Sequence, residues 1–260
     1  MSRSTTAAGA PTGPRPGFRL PAAALEWLTW TQPLRILSLS GAALPRQLAS
    51  AGHEVFALDK SQHVTESLRG VPGIIPVRAQ AEQLPFDPCQ FDAVICHQDL
   101  HRYAPGLVLS EIARVLSPGG HFGVSYLVRD DSVPWVRRLV ARVQQVDPDA
   151  MRGAFGAESV AAVRESKYFP AIDEKSFRHW VPIDRAGLLD MVTRLPAAQG
   201  MADSDREQLA AEIGALHDDA APAAGNLRLP YRLECWRAHV DHQELTAPIE
   251  VDDDGLVIRL

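Results

Sequence analysis

Asp59 is the residue whose position in this sequence most suggests ligand binding. It directly follows Val55 to Leu58, a short apolar run that is typical of a buried strand. An acidic side chain at the carboxyl end of such a strand can accept hydrogen bonds from both hydroxyl groups of a ribose. We therefore predict that Asp59 binds the sugar of a nucleotide-like ligand.

The residues before Asp59 have the order of elements that such a site requires. An apolar run at 34–39 predicts a first strand, Pro45 suits the first turn of a helix, and Gly52 suits the left-handed position that ends it. Residues 34–59 therefore predict strand, loop, helix and strand, which is the opening unit of a nucleotide-binding α/β sheet.

Later apolar runs predict further strands at 73–77, 91–96 and 120–127. Between the last two, a helix is predicted whose apolar stripe consists of Leu107, Leu109, Ile112, Val115 and Leu116. Strands that alternate with helices indicate a parallel sheet, and the ligand of such a sheet lies beyond the carboxyl ends of its strands.

The pattern changes in the second half of the chain, after Arg129. Longer helical patterns occupy residues 133–146, 157–164, 184–193 and 204–217, and strand-like segments occupy residues 176–181 and 227–236. We interpret this half as a helical lid together with the last strands of the same sheet. Residues 218–225 are interpreted as a linker.

The composition excludes several classes of protein. Of 260 residues 46% are hydrophobic, and the formal net charge is −6 without a basic block, so nucleic acid is not expected as a partner. No apolar run approaches the roughly 20 residues of a membrane helix, so we expect a cytoplasmic protein without a membrane partner.

The three cysteines form no C-x-x-C pair and are expected to be reduced. Residues 1–24 are predicted to be a flexible leader, and residues 239–260 an acidic tail.

Four segments carry a resemblance to a known family. Residues 79–86 resemble an adenine-binding loop, and residues 91–103 resemble a fourth strand with the segment after it. Residues 111–120 and 229–238 resemble a turn into a fifth strand and a closing strand. Together they are similar to the class I S-adenosylmethionine-dependent methyltransferases, and within these to the small-molecule branch called type 11.

This resemblance implies an α/β, Rossmann-like fold with a seven-stranded, mostly parallel sheet, helices on both faces and a helical lid. The methyltransferase-like domain would occupy residues 25–238, with the lid and insertions within about 129–225. The implied cofactor is S-adenosylmethionine, and the implied partner is a small-molecule methyl acceptor. The residues implied to bind the cofactor are Ser38, Ser40, Gly41, Ala42, Asp59, Lys60, Ala81, Glu82, His97 and Gln98.

The loop after the first strand departs from the pattern of the family, which is Asp, apolar, Gly, x, Gly, x, Gly. Ser38 stands at the acidic position, and the glycine positions hold Ser40, Ala42 and Leu44. Losing a charge-assisted contact costs about 1.5–3 kcal/mol, and left-handed backbone costs a non-glycine residue about 1–2 kcal/mol. We therefore expect weak cofactor binding by a partly decayed loop. In an adapted loop, Ser38 and Ser40 would form their own hydrogen bonds and Ala42 would have ordinary dihedrals.

Two other patterns have less support. The segment from His97 to His101 mimics the H-E-x-x-H zinc motif, but glutamine replaces the glutamate and the segment follows a strand, so no metal site is predicted. A nicotinamide-dependent dehydrogenase is a less supported alternative. Its pyrophosphate binds the backbone of a glycine-rich turn and depends on that turn more strongly than S-adenosylmethionine does.

A group of arginines at and after the fifth strand has two interpretations. These residues could face an anionic substrate, or they could form a solvated helix face, which is the commoner arrangement. The group consists of Arg129, Arg137, Arg138 and Arg142.

Two functions are consistent with these observations. The first is methyl transfer to an oxygen or nitrogen atom of a small molecule. A carboxylate is one such acceptor, and since it is already nucleophilic, catalysis would reduce to alignment and desolvation. The second is a catalytically inactive methyltransferase-like module that serves regulation or interaction, which the loop substitutions suggest.

Overall fold

A computed structural model describes residues 19–148, 155–221, 227–246, 251–252 and 255–256. The main strands are β1 Arg35–Ser38, β2 Glu54–Asp59, β3 Ile74–Arg78, β4 Phe91–His97, β5 Leu116–Arg129, β6 Ala171–Ile183 and β7 Leu227–His239. The helices are α1 Ala22–Thr29, α2 Ala43–Ser50, α3 Gln62–Leu68, α4 Pro105–Val115, α5 Pro134–Val146, α6 Phe155–Arg164, α7 Arg185–Thr193, α8 Pro196–Gln199, α9 Asp203–Ala220 and α10 Gln243–Thr246. A 3-10 turn covers Leu100–Arg102.

The seven strands form one sheet in the order β3-β2-β1-β4-β5-β7-β6. Strand β1 pairs in parallel with β2 and β4, and the pairs β2–β3 and β4–β5 are also parallel. The sheet is mostly parallel and includes some antiparallel pairs. The predicted fold class is thereby confirmed: a Rossmann-like α/β arrangement of seven strands.

The strands at the centre of the sheet are buried on both faces. Residues 55–58 of β2 and 93–96 of β4 are buried without interruption. Such continuous apolar runs are expected in a parallel sheet, since both of its faces are covered. This is why the short runs in the sequence identified these strands.

The start of β5 contains an irregularity that only glycine permits. The register between β4 and β5 shifts after Phe91 pairs with Leu116, and regular pairing resumes at His121. A Cβ atom at Gly120 would lie 2.8 Å from the carbonyl oxygen of Ser117 and 2.9 Å from another backbone oxygen. Substitution of this glycine would therefore force the backbone to move.

Several boundaries differ from the sequence-based expectation. Helix α1 begins at Ala22, inside the segment predicted as a leader, and residues 1–18 lie outside the described residues. Leu107 was predicted to be part of a buried stripe but is 58% exposed, and Leu116 begins β5 instead of ending α4. Helix α9 extends to Ala220, into the predicted linker, because residues 218–220 continue its helical backbone.

The end of the chain, predicted as an acidic tail, contains further structure. It includes helix α10 and two short strands, β8 Val251–Asp252 and β9 Gly255–Leu256. These two strands pair with each other in antiparallel fashion and form a separate two-stranded sheet. They do not add an edge strand to the main sheet.

The chain divides into two compact units. The first unit comprises Ala22–Ser125, Ala157–Lys175 and Cys235–Leu260, and the second contains Tyr126–Gly156 and Ser176–Glu234. The second unit has its own apolar core. Its helices α5, α7 and α9 supply fully buried residues, such as Leu139, Leu188 and Ile213.

Ion pairs account for part of the arginine group within the second unit. Arg138 pairs with Asp219 at 3.3 Å, and Arg142 pairs with Glu212, so both arginines link α5 to α9. The guanidinium of Arg129 lies 5.8 Å from the centre of the Tyr231 ring.

Among the described residues, no helix combines the length and apolar character needed to cross a bilayer.

Two substitutions in helix α4 test which of its apolar side chains are buried in the core. Ile112 is fully buried, whereas Leu107 is 58% exposed. We expect Ile112→Ala to lower the free energy of unfolding by about 2–5 kcal/mol, because it leaves a cavity in the core. Leu107→Ala should change it by less than about 0.5 kcal/mol. Urea denaturation followed by circular dichroism measures both, and similar values for the two variants would contradict the assignment.

Candidate cofactor site

A pocket of about 260 Å³ lies beyond the carboxyl ends of strands β2, β3 and β4. Three segments form its wall, one at or after the carboxyl end of each of these strands. They contribute Leu58, Asp59 and Lys60, then Ala79, Gln80, Ala81 and Glu82, and finally Asp99, Arg102 and Tyr103. The parallel direction of the strands places these segments together, since their carboxyl ends meet at the same edge of the sheet.

Four of the ten residues predicted to bind a cofactor line this pocket: Asp59, Lys60, Ala81 and Glu82. The other six lie in two segments that are hydrogen-bonded to each other. Ser38, Ser40, Gly41 and Ala42 belong to the end of β1 and the loop after it, whereas His97 and Gln98 belong to the end of β4. Cofactor binding by all ten residues stays a prediction.

Asp59 is the last residue of β2 and is partly exposed to the pocket. Its Oδ1 atom accepts a hydrogen bond of 2.8 Å from the backbone N–H of Ser61, at the start of α3. This bond orients the carboxylate. Each carboxylate oxygen has two lone pairs, so the group keeps acceptor capacity toward the pocket.

The loop of residues 79–86 is attached to helix α4 by a charged pair. Glu111 accepts a hydrogen bond of 2.7 Å from the backbone N–H of Leu84, and Arg114 donates to the carbonyl oxygens of Leu84 and Phe86 at 3.0 and 2.8 Å. Arg114 also donates to Glu111 at 2.7 Å, and its guanidinium lowers the pKa of that carboxyl. The pocket wall around Ala81 is therefore supported from α4.

The loop after β1 is attached to the segment after β4. The Ser40 hydroxyl oxygen accepts a hydrogen bond of 2.6 Å from the backbone N–H of His97. The Tyr103 hydroxyl donates to the carbonyl oxygen of Leu39 at 2.9 Å. Two side-chain bonds thus hold a loop that has lost most of the glycines usual in this kind of site.

The backbone of this loop is only slightly strained. Gly41 has a φ of 26°, and Ala42 has ordinary right-handed dihedrals of −97° and −19°. A hydrogen-bonded Ser40 and a relaxed Ala42 are the features expected of an adapted loop. Ser38 differs, because it is fully buried and its hydroxyl has no hydrogen-bond partner among the described residues.

His97 lies at the end of β4, where its Nδ1 atom is 2.9 Å from the Ser125 hydroxyl. Burial lowers the pKa of His97 to about 4, so the ring is neutral at physiological pH. His101, by contrast, lies in the 3-10 turn. The two histidines are therefore not on one helix, as the zinc motif would require.

Gln98 has a backbone conformation that side-chain-bearing residues seldom adopt. Its φ is 61°, in the left-handed region, and its N–H donates to the carbonyl oxygen of Ser125 at 2.8 Å. Residues held in this region cost about 1–3 kcal/mol and occur preferentially at functional sites. The strain lies directly beside the predicted site residue His97.

Six residues of the pocket wall are not among the predicted site residues, and three of them, Asp99, Arg102 and Tyr103, come from the segment after β4. Arg102 donates to Asp99 at 3.0 Å, yet burial dominates and raises the pKa of that carboxyl. Burial also raises the pKa of Tyr103. The signal in the sequence is the density of polar side chains directly after a buried strand, from which only His97 and Gln98 were predicted as site residues.

The two serines of the loop allow its hydrogen bonding to be tested. Ser40→Ala should lower the free energy of unfolding by about 1–3 kcal/mol, because the N–H of His97 loses its acceptor. Ser38→Ala should leave it unchanged within about 0.5 kcal/mol or raise it, since a buried hydroxyl without a partner is unfavourable. Urea denaturation is the measurement. A larger loss for Ser38→Ala than for Ser40→Ala would contradict the hydrogen bonding described.

Comparisons with known proteins agree with this architecture. Residues 38–124 match the sequence profile of the family described as the methyltransferase domain. An uncharacterized methyltransferase of Mycobacterium tuberculosis is 34% identical over 137 residues, which is 52% of this chain and 56% of the relative. The phthiotriol/phenolphthiotriol dimycocerosates methyltransferase of the same organism is 27% identical over 126 residues, or 44% of this chain and 45% of the relative. The chain thus spans about half the length of the curated relatives that it matches.

Solved structures show the same fold. A candidate type II methyltransferase of Anaeromyxobacter dehalogenans superposes with a TM-score of 0.63 at 19% identity, over 88% of this chain and 98% of that one. The fold and the sequence match lead to one assignment. Residues 38–124 match the methyltransferase domain family, and the chain that contains them has the fold of the class I methyltransferases.

Proposed function

We propose that this protein binds S-adenosylmethionine and transfers its methyl group to an oxygen or nitrogen atom of a small molecule. The observation that carries the proposal is the pocket bounded by Asp59 and Ala81, in a segment that matches the methyltransferase domain family. Its position beyond the carboxyl ends of parallel strands is where nucleotide-type ligands bind in such folds.

The pocket has the chemistry of a nucleoside site. Asp59 offers carboxylate oxygens to the ribose hydroxyls, and Lys60 lies next to it at the pocket wall. Leu58 and Ala81 are buried and supply apolar surface against which an adenine ring can pack. Gln80 stands where the family usually has aspartate, and its amide can both donate to and accept from the edge of the base.

The loop after β1 would hold the methionine part of the cofactor. The Ser38 hydroxyl is buried and unpaired among the described residues, so it is able to form a hydrogen bond with a bound ligand. When bound, the cofactor supplies a methyl group attached to a positively charged sulfur. The protein then has to orient the acceptor lone pair, exclude water and let the proton that an O–H or N–H acceptor loses pass to a base or to solvent.

Asp59→Ala is the direct test of the ribose contact. We expect it to weaken the binding of S-adenosylmethionine by about 1.5–3 kcal/mol, because hydrogen bonds to an ionised carboxylate are charge-assisted. Isothermal titration calorimetry measures the affinity. Asp87→Ala is the matched control, since Asp87 is exposed and lies outside the pocket wall. Equal affinities of the Asp59 variant and the parent would place the cofactor elsewhere.

A catalytically inactive regulatory or interaction module is the second candidate function. The observation that favours it is Ser38 at the acidic position of the loop, where the family has a charge to hold the amino group of the cofactor. Without that contact, a micromolar site, at about −8.2 kcal/mol, would lose about 1.5–3 kcal/mol of binding free energy. No calorimetric signal at millimolar S-adenosylmethionine would favour this second function.

An acidic residue at position 38 tests whether the loop after β1 is decayed or adapted. We expect Ser38→Asp to tighten S-adenosylmethionine binding by roughly tenfold, because the new carboxylate pairs with the ammonium group of the ligand. Ser38→Asn has nearly the same shape without the charge and should gain less. Weaker binding by Ser38→Asp than by Ser38→Asn would show that the loop is adapted to serine.

A further inference from the structure

A second pocket, of about 250 Å³, lies beside the 3-10 turn in the first unit. Helix α4 and helix α6 provide most of its wall. Its apolar surface consists of Leu100, Pro105, Leu109, Ala162 and Val163. Of these, Leu100, Leu109 and Val163 are almost completely buried, so the inner end of the pocket is apolar.

The two pockets share Tyr103, and the same turn separates them. Asp99 and Arg102 line the first pocket, whereas Leu100 and His101 line the second. Neighbouring residues of the turn thus face two cavities. The bond from the Tyr103 hydroxyl to the carbonyl oxygen of Leu39 holds the shared wall in place.

The lining of the second pocket selects against ions. The described residues of its wall include no aspartate, glutamate, lysine or arginine, and the polar ones are His101, Tyr103 and Ser159. Burial lowers the pKa of His101, so its ring is neutral at physiological pH. The lining therefore suits an uncharged molecule with one or two groups able to form hydrogen bonds. The volume is below the roughly 300 Å³ at which sites for drug-sized ligands begin, which indicates a compact ligand.

We propose that this second pocket binds the methyl acceptor, and that the acceptor is a compact, largely apolar molecule bearing an uncharged hydroxyl or amine. The inference rests on the proposed methyltransferase function, because it assigns the second substrate of that reaction. It also narrows the acceptor class. Among the described residues the wall offers a carboxylate no cation, and burying an unpaired charge is costly.

The test uses 4-fluorophenol as the probe and the full chain saturated with S-adenosylhomocysteine. Binding is followed by fluorine NMR, and 4-fluorobenzoate serves as the charged counterpart. We expect 4-fluorophenol to bind at least tenfold more tightly than 4-fluorobenzoate. An equal or higher affinity for the benzoate would overturn the uncharged class.

Two substitutions in helix α6 test whether 4-fluorophenol binds in the second pocket. Ala162→Phe puts a ring into the pocket and should weaken 4-fluorophenol binding at least tenfold. Ala161→Phe is the matched control, because Ala161 is the adjacent residue of the helix, is also partly buried and does not line the pocket. It should retain the parent affinity within twofold. Unchanged affinity for S-adenosylhomocysteine in both variants shows that the fold is intact.

The outcomes distinguish this inference from the proposed function. Binding of S-adenosylhomocysteine without binding of 4-fluorophenol, or with equal probe affinity in Ala162→Phe and the parent, rejects the acceptor pocket and leaves the cofactor assignment standing. Absence of S-adenosylhomocysteine binding rejects the proposed function, and the acceptor assignment with it, even where 4-fluorophenol still binds.

Discussion

The attachment of the loop after β1 to the segment after β4 is the constraint on which both pockets depend. Parallel pairing of β1 with β4 brings the two segments side by side, and the bonds from His97 to Ser40 and from Tyr103 to Leu39 join them. In related sites, glycines allow the backbone itself to approach the ligand. Here side-chain oxygens shape the loop, so its conformation depends on residues more than 50 positions away.

Tyr103 connects this constraint to the arrangement of the cavities. Its ring borders both pockets, and its hydroxyl is bonded to the loop that would hold the methionine part of a cofactor. A displacement of that loop on ligand binding would therefore be transmitted to the wall of the second pocket. Coupling of this kind is reciprocal in binding free energy, so each ligand would influence the affinity of the other.

The sheet could be predicted from sequence because its central strands are short, continuous apolar runs. Asp59 could be selected because it ends such a strand, and Ala81 because residues 79–86 resemble an adenine-binding loop. Leu107 was misassigned because an apolar residue at helical spacing need not face the core, and only packing shows that it is exposed. The second pocket could not be predicted, since it joins the 3-10 turn to a helix more than 50 residues later in the chain.

Helix α1 has its first three residues, 22–24, in the predicted leader for a related reason. Its sequence is dominated by alanine and leucine and follows a stretch rich in proline and glycine, which is typical of disordered segments. Its helical state is supported by tertiary contacts that the local pattern does not contain. The His121 ring, for example, lies 2.6 Å from the carbonyl oxygen of Leu28, and the Arg237 guanidinium lies 4.8 Å from the centre of the Trp27 ring.

The discontinuity of the first unit has a consequence for biosynthesis. This unit is assembled from three separate stretches, the last of which starts at Cys235. The ribosome releases the chain from its N-terminus, so the parallel strands emerge long before the stretch that completes the unit. The apolar surface that this last stretch covers stays exposed for that interval, and exposed apolar surface favours aggregation. The unit therefore completes its folding only after the stretch that starts at Cys235 has been synthesised.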